Sequence, residues 1–320
     1  MQHHDPVRSP LRLMERFRPL ALAEPPLWLK PTWDVASNIL LPQPRPAAAA
    51  PLGRIGSLEV RLAETRKEIK RAQRLRYNVF YRDGNAIADA ATLMARRDKD
   101  AFDKICEHLL VIDHAAIHPM QAKLRRKPPV VGTYRLLAQE VAAKHGGFYT
   151  DSEFDIASLL QKHPALRFLE LGRSCVLPPY RTKRTVELLW HGIWSYVRQN
   201  NVDVMIGCAS LEGTDPDRLA VPLSFLHHFA RAPEDWRASA LPQRHVEMNR
   251  LPKDRINPKA ALRELPPLIK GYLRLGAFVG DGAVIDRQFG TTDVLMIMPV
   301  SAISTRYIEH FGVDATRHAA

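Results

Sequence analysis

The sequence predicts an α/β (α+β) domain whose central sheet is mixed but mostly antiparallel and is flanked by helices. Runs rich in β-branched and aromatic residues alternate with segments whose apolar residues recur at helical spacing. Their order is helix, strands, helix, strand, helix, strand, which is typical of one layered core. Apolar residues make up 46% of the 320 residues, enough to fill that core.

The individual elements follow from local patterns. Apolar residues at helical spacing or good capping residues predict helices over 60–80, 151–164, 186–197 and 217–230. Short β-rich runs predict strands over 108–113, 128–140, 166–177 and 202–210, and a strand–turn–strand unit over 279–300. The helix near residue 190 is the strongest, because Val186, Leu189, Ile193 and Val197 lie on one apolar stripe.

Proline divides the chain. Ten of the 25 prolines fall within the first 51 residues, so we predict a poorly ordered Pro-rich arm over 1–54. The folded domain is expected over 55–320, and it includes a C-terminal extension over about 213–320.

The net charge of +12 gathers in three basic clusters, at 66–76, 123–127 and 181–184. Nucleic acid, an anionic membrane surface and an acidic carrier protein are the partners that such charge attracts, and a solvated basic surface is the plain alternative. The sequence lacks a helix-turn-helix, a zinc finger and an RNA-binding aromatic motif, so we expect no nucleic-acid partner.

Cysteine spacing and hydropathy exclude other classes of protein. Cys106, Cys175 and Cys208 lie far apart, which argues against a disulfide framework or a zinc site, and we expect no metal. The sequence has no run of about 18 apolar residues and no signal-peptide pattern, so we expect a cytoplasmic protein.

One stretch, FLELGRSCVLPPYRTKRTVELLWHGIWSYV (168–197), carries unusual charges. Glu170 and Arg173 lie inside an apolar strand, where a charge needs a partner or a wet site. A regular strand would point them to opposite faces, whereas an irregularity near Gly172 would bring both to one cleft. An ion pair that joins two strands and a functional role are both open.

The residues that follow this strand are basic and come directly before a helix: Tyr180, Arg181, Lys183 and Arg184. Basic side chains beside the positive end of a helix attract phosphate, so we expect an anion to bind there.

Six motifs in order resemble the ornithine N-acyltransferases over about residues 55–300: LRYNVF, VVGTYRLL, LELGRSCV, LLWHGIWSYV, IGCASLEGTDP and LPPLIKGYLRLGA. The resemblance implies the GNAT acyltransferase fold. It also implies transfer of a 3-hydroxyacyl group from acyl carrier protein to the α-amine of L-ornithine, which gives lyso-ornithine lipid. It implies no cofactor beyond that phosphopantetheine-bound thioester.

A more distant similarity is to the acyl-homoserine-lactone synthases, whose Arg-x-x-Val-Phe motif matches Arg76 and Phe80. Their Arg-Leu-Leu strand matches Arg135, and their Glu-x-x-Arg pair matches Glu170 and Arg173. The match of their acidic residues to Asp98 and Asp103 is loose.

These resemblances imply a set of site residues. Glu170 is the candidate base, and Arg173 is the residue that orients it or holds a carboxylate. Main-chain amides around Ser174, Cys175 and Val176 would stabilise an oxyanion. The further candidates for substrate contacts are Arg76, Phe80, Asp98, Asp103 and Arg135. Asp98 and Asp103 would meet ammonium groups, or would simply be solvated. Cys175 is a small buried residue more often than a nucleophile.

The loop LPPYRTKRTV departs from the GNAT pattern, because it lacks the glycines whose amides hold the pyrophosphate of coenzyme A. We therefore expect Tyr180, Arg181, Lys183 and Arg184 to bind an acyl carrier protein and its phosphopantetheine. We also expect peripheral association with the inner face of the membrane. The alternatives are a homoserine-lactone synthase or another GNAT N-acyltransferase, a nucleic-acid-binding protein and a membrane-damaging toxin.

Overall fold

The computed structural model describes residues 51–116 and 127–303. The predicted Pro-rich arm therefore lies outside the described residues except for its last four, and the first strand begins at Gly53. The basic cluster at 123–127 also lies outside them apart from Lys127, as does the end of the chain beyond residue 303.

Nine strands form one sheet in the described part of the chain. They are β1 Gly53–Ile55, β2 Leu58–Leu62, β3 Glu107–Asp113, β4 Val130–Ala138, β5 Phe168–Val176, β6 Val204–Glu212, β7 His245–Val246, β8 Phe278–Asp286 and β9 Thr291–Pro299. The helices are α1 Arg66–Tyr77, α2 Ala90–Ala95, α3 Gln139–Lys144, α4 Ile156–Lys162, α5 Lys183–Gln199, α6 Ala220–Phe229, α7 Pro258–Glu264 and α8 Pro267–Arg274.

The strand order is β1-β2-β3-β4-β5-β6-β9-β8-β7. Neighbouring strands are antiparallel except β5 and β6, which run parallel. The prediction of a mixed, mostly antiparallel sheet flanked by helices is confirmed. A crossover is required between parallel neighbours, and α5 supplies it after β5.

The helix predicted over 60–80 is wrong at its start. Val60 and Leu62 belong to β2, where they pair with Val111 and Leu109 of β3. The helix begins only at Arg66, because the hydroxyl of Thr65 accepts a hydrogen bond from the amide of Glu68 and caps its first turn. Val60 and Leu62 also fit the helical spacing of the residues that follow, which is why the pattern extends the helix too far toward the N-terminus.

Helix α5 packs across the β1–β4 half of the sheet. Leu189, Ile193 and Val197 are buried as predicted, but Val186 is 47% exposed, and Leu188, which was not placed on the stripe, is fully buried. The first turn presents Thr185 inward instead, and that side chain is fully buried. Helices α6 and α8 contribute buried side chains to the same core, whereas α1, α3 and α4 pack against two smaller clusters. None of the described helices meets the length and hydropathy needed to cross a bilayer.

Gly192 sets how closely α5 approaches the sheet. A Cβ atom at this position would lie 2.6 Å from Cγ2 of Val60 and 3.2 Å from Leu109. Gly271 in α8 is the matched control, because a Cβ there would meet no atom within 4 Å.

We expect Gly192→Ala to lower the free energy of unfolding by about 1–3 kcal/mol, because the extra methyl overpacks the core. Gly271→Ala should raise it by about 0.5–1 kcal/mol through helix propensity alone. Urea denaturation of both variants measures the difference. Equal effects of the two substitutions would show that α5 has room to move.

Candidate active site

The sheet opens between its two parallel strands. Strands β5 and β6 pair only from Phe168 to Glu170 and from Val204 to Ile206. Gly207 lies where they begin to part, and a Cβ on it would lie 2.2 Å from the carbonyl oxygen of Leu171. Beyond this point β5 continues over 171–176 and β6 over 207–212. We call the opening between these two segments the wedge.

A bulge in β5 decides which side chains meet beside the wedge. The register with β4 shifts between the Thr133–Cys175 pair and the Arg135–Gly172 pair. Arg173 lies at this shift with φ of 52°, in the left-handed region. The bulge turns Arg173 to the face that already carries Glu170 and Arg135, since all three surround the Tyr149–Thr150 turn. The irregularity expected near Gly172 is therefore present one residue later.

Three arginines and three aspartates form what we call the arginine–aspartate network: Arg76, Arg135, Arg173, Asp98, Asp100 and Asp103. Arg76, which is fully buried, donates to Asp103 at 2.8 and 2.9 Å and lies 2.7 Å from Asp98.

The rest of the network joins the loop after α2 to the strands. Arg135 donates to Asp100 at 2.6 Å, and Arg173 lies 3.2 Å from Asp100 and 3.4 Å from Asp98. Asp100 and Asp103 also cap a short 3-10 turn through reciprocal bonds to each other's main-chain amides. The loop is therefore held against β4 and β5 by charge.

Burial alone would raise the pKa of Asp103, but the hydrogen bonds and charge of Arg76 and the charge of Arg135 lower it to about 2. Burial lowers the pKa of the neighbouring His108 to about 4, so its imidazole is neutral at pH 7. Burial opposes the charge of Arg173, yet Tyr149, Asp98 and Asp100 hold the pKa of its guanidinium above the usual value. The carboxylate of Asp103 and the guanidinium of Arg173 are thus both charged at neutral pH.

Glu170 is buried, and its carboxylate accepts hydrogen bonds from the Tyr149–Thr150 turn. One carboxylate oxygen accepts from the amide of Tyr149 at 3.0 Å, and the other accepts from the amide of Thr150 at 2.7 Å and from its hydroxyl. Burial raises the pKa of Glu170, although the hydrogen bonds from Thr150 and Tyr149 act in the opposite direction. Glu170 is thus held by hydrogen bonds from the Tyr149–Thr150 turn, whereas Arg173 forms ion pairs with Asp98 and Asp100 of the loop after α2.

Aromatic rings enclose the guanidinium of Arg173. Its central carbon lies 4.8 Å from the ring centre of Tyr149 and 4.9 Å from that of Phe289. Phe289 lies in the β8–β9 turn and packs edge-on against Phe80, at 5.5 Å between ring centres. Phe80 thus lies at the edge of the group of aromatic rings around Arg173. Such rings stabilise a guanidinium and restrict its motion.

Three carboxylates lie on the wedge side of Tyr149. Glu153, Asp286 and Asp293 bring oxygen atoms within 4.8 Å of one another. Burial and the charge of Asp293 raise the pKa of Glu153 to about 6, and burial also raises the pKa of Asp293. The thiol of Cys208 donates to Glu153 at 3.2 Å, and Nη2 of Arg244 lies 3.5 Å from a carboxylate oxygen of Glu153. This group, which we call the acidic group, makes the region beside Arg173 electronegative.

The other face of the sheet is apolar at the same place. A small cavity at the base of the wedge is lined by Leu171, Met205, Ile206, Gly207, Tyr272, Met296 and Met298. Methionine side chains adapt their shape to irregular apolar groups. The wedge therefore lies between a charged face and an apolar one.

The remaining predicted residues lie toward the end of β5 and the start of α5. Cys175 packs with Ala72 and Leu75 of α1, and burial raises the pKa of its thiol, so it suits packing rather than nucleophilic attack. The amide of Leu177 donates to Val131 of β4. Because alternate residues of a strand point their amides to the same neighbour, the amide of Val176 points away from β4, toward the wedge.

The basic loop before α5 divides into two parts. The hydroxyl of Tyr180 donates to Asp113 at 2.9 Å, so its phenol is already engaged. Arg181, Lys183 and Arg184 are exposed. Arg181 donates to the carbonyl oxygen of Val176 at 3.1 Å, which links the basic loop to the end of the wedge strand.

The structure brings together Arg76, Asp98, Asp103, Arg135, Glu170 and Arg173, as the spacing and the resemblance suggested. The alternative that Asp98 and Asp103 are merely solvated is wrong, because each is 4% exposed and is held by arginine. Sequence reasoning missed Asp100, Tyr149, Glu153 and Phe289. The only available signal was the acidic spacing at 98, 100 and 103, of which Asp100 was not considered.

Comparison with known proteins places this geometry in a class. A family model described as an acetyltransferase (GNAT) domain matches residues 75–191, which include the arginine–aspartate network and β5. The AHL synthase LasI superposes with a TM-score of 0.39 and 12% identity over 78% of this chain and 95% of that chain. The protein is an acyltransferase of the GNAT class.

Two relatives narrow the class. An L-ornithine N(alpha)-acyltransferase of Brucella abortus is 53% identical over 266 residues, which cover 83% of this chain and 92% of that protein. One of Agrobacterium fabrum is 49% identical over 288 residues, 89% of this chain and 96% of that protein. The chain belongs to the L-ornithine N(alpha)-acyltransferase family.

We expect Asp103→Asn to lower the free energy of unfolding by about 3–5 kcal/mol, because it leaves the buried Arg76 with one fewer anionic partner. Asp254→Asn, which changes an exposed aspartate, should stay within about 0.5 kcal/mol of the wild type. Urea denaturation at pH 7 measures both. A loss below about 1 kcal/mol for Asp103→Asn would show that Asp98 alone neutralises Arg76.

Proposed function

We propose that this acyltransferase moves a 3-hydroxyacyl group from acyl carrier protein to the α-amine of L-ornithine and so makes lyso-ornithine lipid. One observation carries the proposal: the wedge between β5 and β6 has charged side chains on one face and apolar side chains of β6, α8 and β9 on the other. An amino acid and a fatty acyl chain require those two surroundings. Family membership supports ornithine as the acceptor.

The basic loop supports a carrier-bound donor. Pro178 and Pro179 have no amide hydrogen, and the hydroxyl of Thr182 already caps the start of α5 by accepting from Thr185. Main-chain amides are therefore scarce for the pyrophosphate of coenzyme A. The exposed side chains of Arg181, Lys183 and Arg184 suit a single phosphopantetheine phosphate and an acidic carrier surface. The enzyme then needs no cofactor of its own.

The charged face suits both ends of ornithine. Arg173 keeps 14% of its side chain exposed and would pair with the α-carboxylate. The acidic group of Glu153, Asp286 and Asp293 would attract the side-chain ammonium. The sequence predicts that Asp98 and Asp103 meet ammonium groups, but both already neutralise arginines. Their role in this proposal is to hold Arg173 and Arg135 in position.

The reaction follows from this arrangement. A base takes a proton from the α-ammonium, the free amine attacks the thioester carbonyl, and the amide forms as the carbon–sulfur bond breaks. The released thiolate takes up a proton. The amide of Val176, which points toward the wedge, would stabilise the oxyanion. Glu170 remains our candidate base, because burial raises the pKa of its carboxyl.

The direct test supplies purified protein with 3-hydroxyacyl carrier protein or the matching coenzyme A thioester, and with L-ornithine, L-lysine or S-adenosylmethionine. We expect mass spectrometry to detect N-acyl-ornithine, and carrier protein to be the better donor by kcat/KM. A product formed from S-adenosylmethionine would instead identify a homoserine-lactone synthase. Equal use of the coenzyme A thioester would contradict the carrier-protein donor.

Glu170→Gln should lower kcat by about 100-fold or more while far-UV circular dichroism stays unchanged. For the wild type, kcat/KM should fall as the pH drops through the raised pKa of Glu170, since the base must be ionised. Glu153→Gln is the matched control and should keep this acid limb. If the acid limb disappears in Glu153→Gln instead, the base is Glu153, whose pKa is about 6.

The double variant Arg181→Ala/Lys183→Ala should raise KM for the acyl carrier protein about tenfold, leave kcat unchanged and weaken the dependence of kcat/KM on salt. Arg255→Ala/Lys259→Ala removes two exposed positive charges elsewhere and serves as the control. Steady-state kinetics at low and high salt measure both variants. Unchanged kinetics in Arg181→Ala/Lys183→Ala would show that these side chains are only solvated and do not bind the carrier protein.

A further inference from the structure

A short segment beside the site exposes apolar side chains. Residues 82–100, which we call the apolar–basic segment, contain Ile87 at 70% exposure, Leu93 at 55% and Met94 at 88%. These three fall within eight consecutive residues and account for half of the six large apolar side chains recorded as exposed in the described chain. Single exposed apolar residues are ordinary on protein surfaces, but a cluster of this kind marks an interaction site.

Local hydrogen bonds hold the segment in place. The amide of Ile87 donates to the carbonyl oxygen of Gln288 at 2.7 Å, and Asn85 donates to Glu212 at 3.0 Å. Asp89 caps α2 by accepting from the amide of Thr92 at 2.7 Å. Leu93 and Met94 are therefore presented outward by the capped helix α2, and Ile87 by the hydrogen-bonded stretch that precedes it.

The surroundings of these apolar side chains are basic. Arg82, Arg96 and Lys99 are exposed and Arg97 is half-buried, whereas the exposed acids of the segment are Asp83 and Asp89. The other two acids, Asp98 and Asp100, point into the protein and are neutralised by the arginine–aspartate network. Apolar side chains flanked by arginine and lysine match the interface of a bilayer that carries anionic headgroups.

The location of the segment connects it with the reaction. It bonds to the β8–β9 turn through Gln288, and the next residue, Phe289, covers the guanidinium of Arg173. It also ends in Asp98 and Asp100, which hold that arginine. A membrane in contact with the segment would lie beside the charged mouth of the site. Given the proposed function, the amphiphilic product could then pass directly into lipid.

We propose that Ile87, Leu93 and Met94, together with Arg82, Arg96 and Lys99, form the surface by which this protein docks on an anionic lipid bilayer. The apolar residues insert among the headgroups, and the basic residues contact the lipid phosphates. The part concerning product release rests on the proposed function, whereas the docking itself does not depend on it.

The test is flotation of the full-length protein with vesicles, without substrates. Wild type should bind vesicles of phosphatidylcholine containing 30 mol% phosphatidylglycerol, and should bind pure phosphatidylcholine at least tenfold more weakly. Leu93→Glu/Met94→Glu should reduce binding to the anionic vesicles at least tenfold. Leu93→Ser/Met94→Ser should reduce it at least threefold, because it removes apolar contact without adding negative charge. Leu262→Glu, which alters an exposed leucine of α7, should remain within twofold of wild type.

Two controls make the outcome decisive. Thermal unfolding should show that all variants are folded, and turnover of a short-chain acyl group carried on acyl carrier protein, without vesicles, should be unchanged. Anionic-vesicle binding that persists in Leu93→Glu/Met94→Glu would overturn the proposal and assign docking elsewhere on the chain. A raised KM for acyl carrier protein in that vesicle-free assay would also overturn it, by assigning the surface to a protein partner. Vesicle binding without formation of N-acyl-ornithine would refute only the proposed reaction.

Discussion

The neutralisation of three arginines by three aspartates is the constraint on which the site depends. Arg76 comes from the first helix, Arg135 and Arg173 from two central strands, and their acidic partners from one loop. A buried guanidinium without a partner is strongly unfavourable, so the loop cannot leave the sheet without exposing or stranding charge. The same bonds hold Arg173 in a fixed position. Charge pairing therefore organises the binding face, whereas apolar packing under α5 supports the sheet beneath it.

The opening between β5 and β6 lies beside this charged face of the sheet. The parallel strands β5 and β6 separate after three paired residues, so main-chain groups beyond that point have no partner on the facing strand. The opening lies between the charged face and the apolar face of the sheet. An unpaired main-chain group that is buried away from water raises the free energy of the folded state. A substrate carbonyl would supply the missing hydrogen-bond partner. Glu170 lies at the last paired position, so its carboxylate stands where the strands begin to part. The position of this candidate base is thus fixed by the geometry of the sheet.

Sequence patterns predicted the sheet and the long helix because β3, β5 and α5 each bury a continuous set of apolar residues with a clear period. They failed at β2, where two apolar residues fit a helical stripe and only pairing with β3 decides. The resemblance gave Glu170 and Arg173, but spacing alone could not show that a bulge unites their faces. Asp100 and Tyr149 were missed because their roles depend on contacts with residues 35 and 24 positions away along the chain.

The left-handed backbone of Arg173 has a consequence for the rest of its strand. One extra residue at the bulge reverses the alternation of β5, so Ser174 bonds toward Tyr134 on one side while Cys175 packs with α1 on the other. The Thr133–Cys175 and Arg135–Gly172 pairs leave β5 with one residue more than β4, so deleting Arg173 would restore a regular pleat with Ser174 and Cys175 on their present faces. The extra residue therefore adds a guanidinium to the charged face of the sheet without altering the packing of the residues on either side of it.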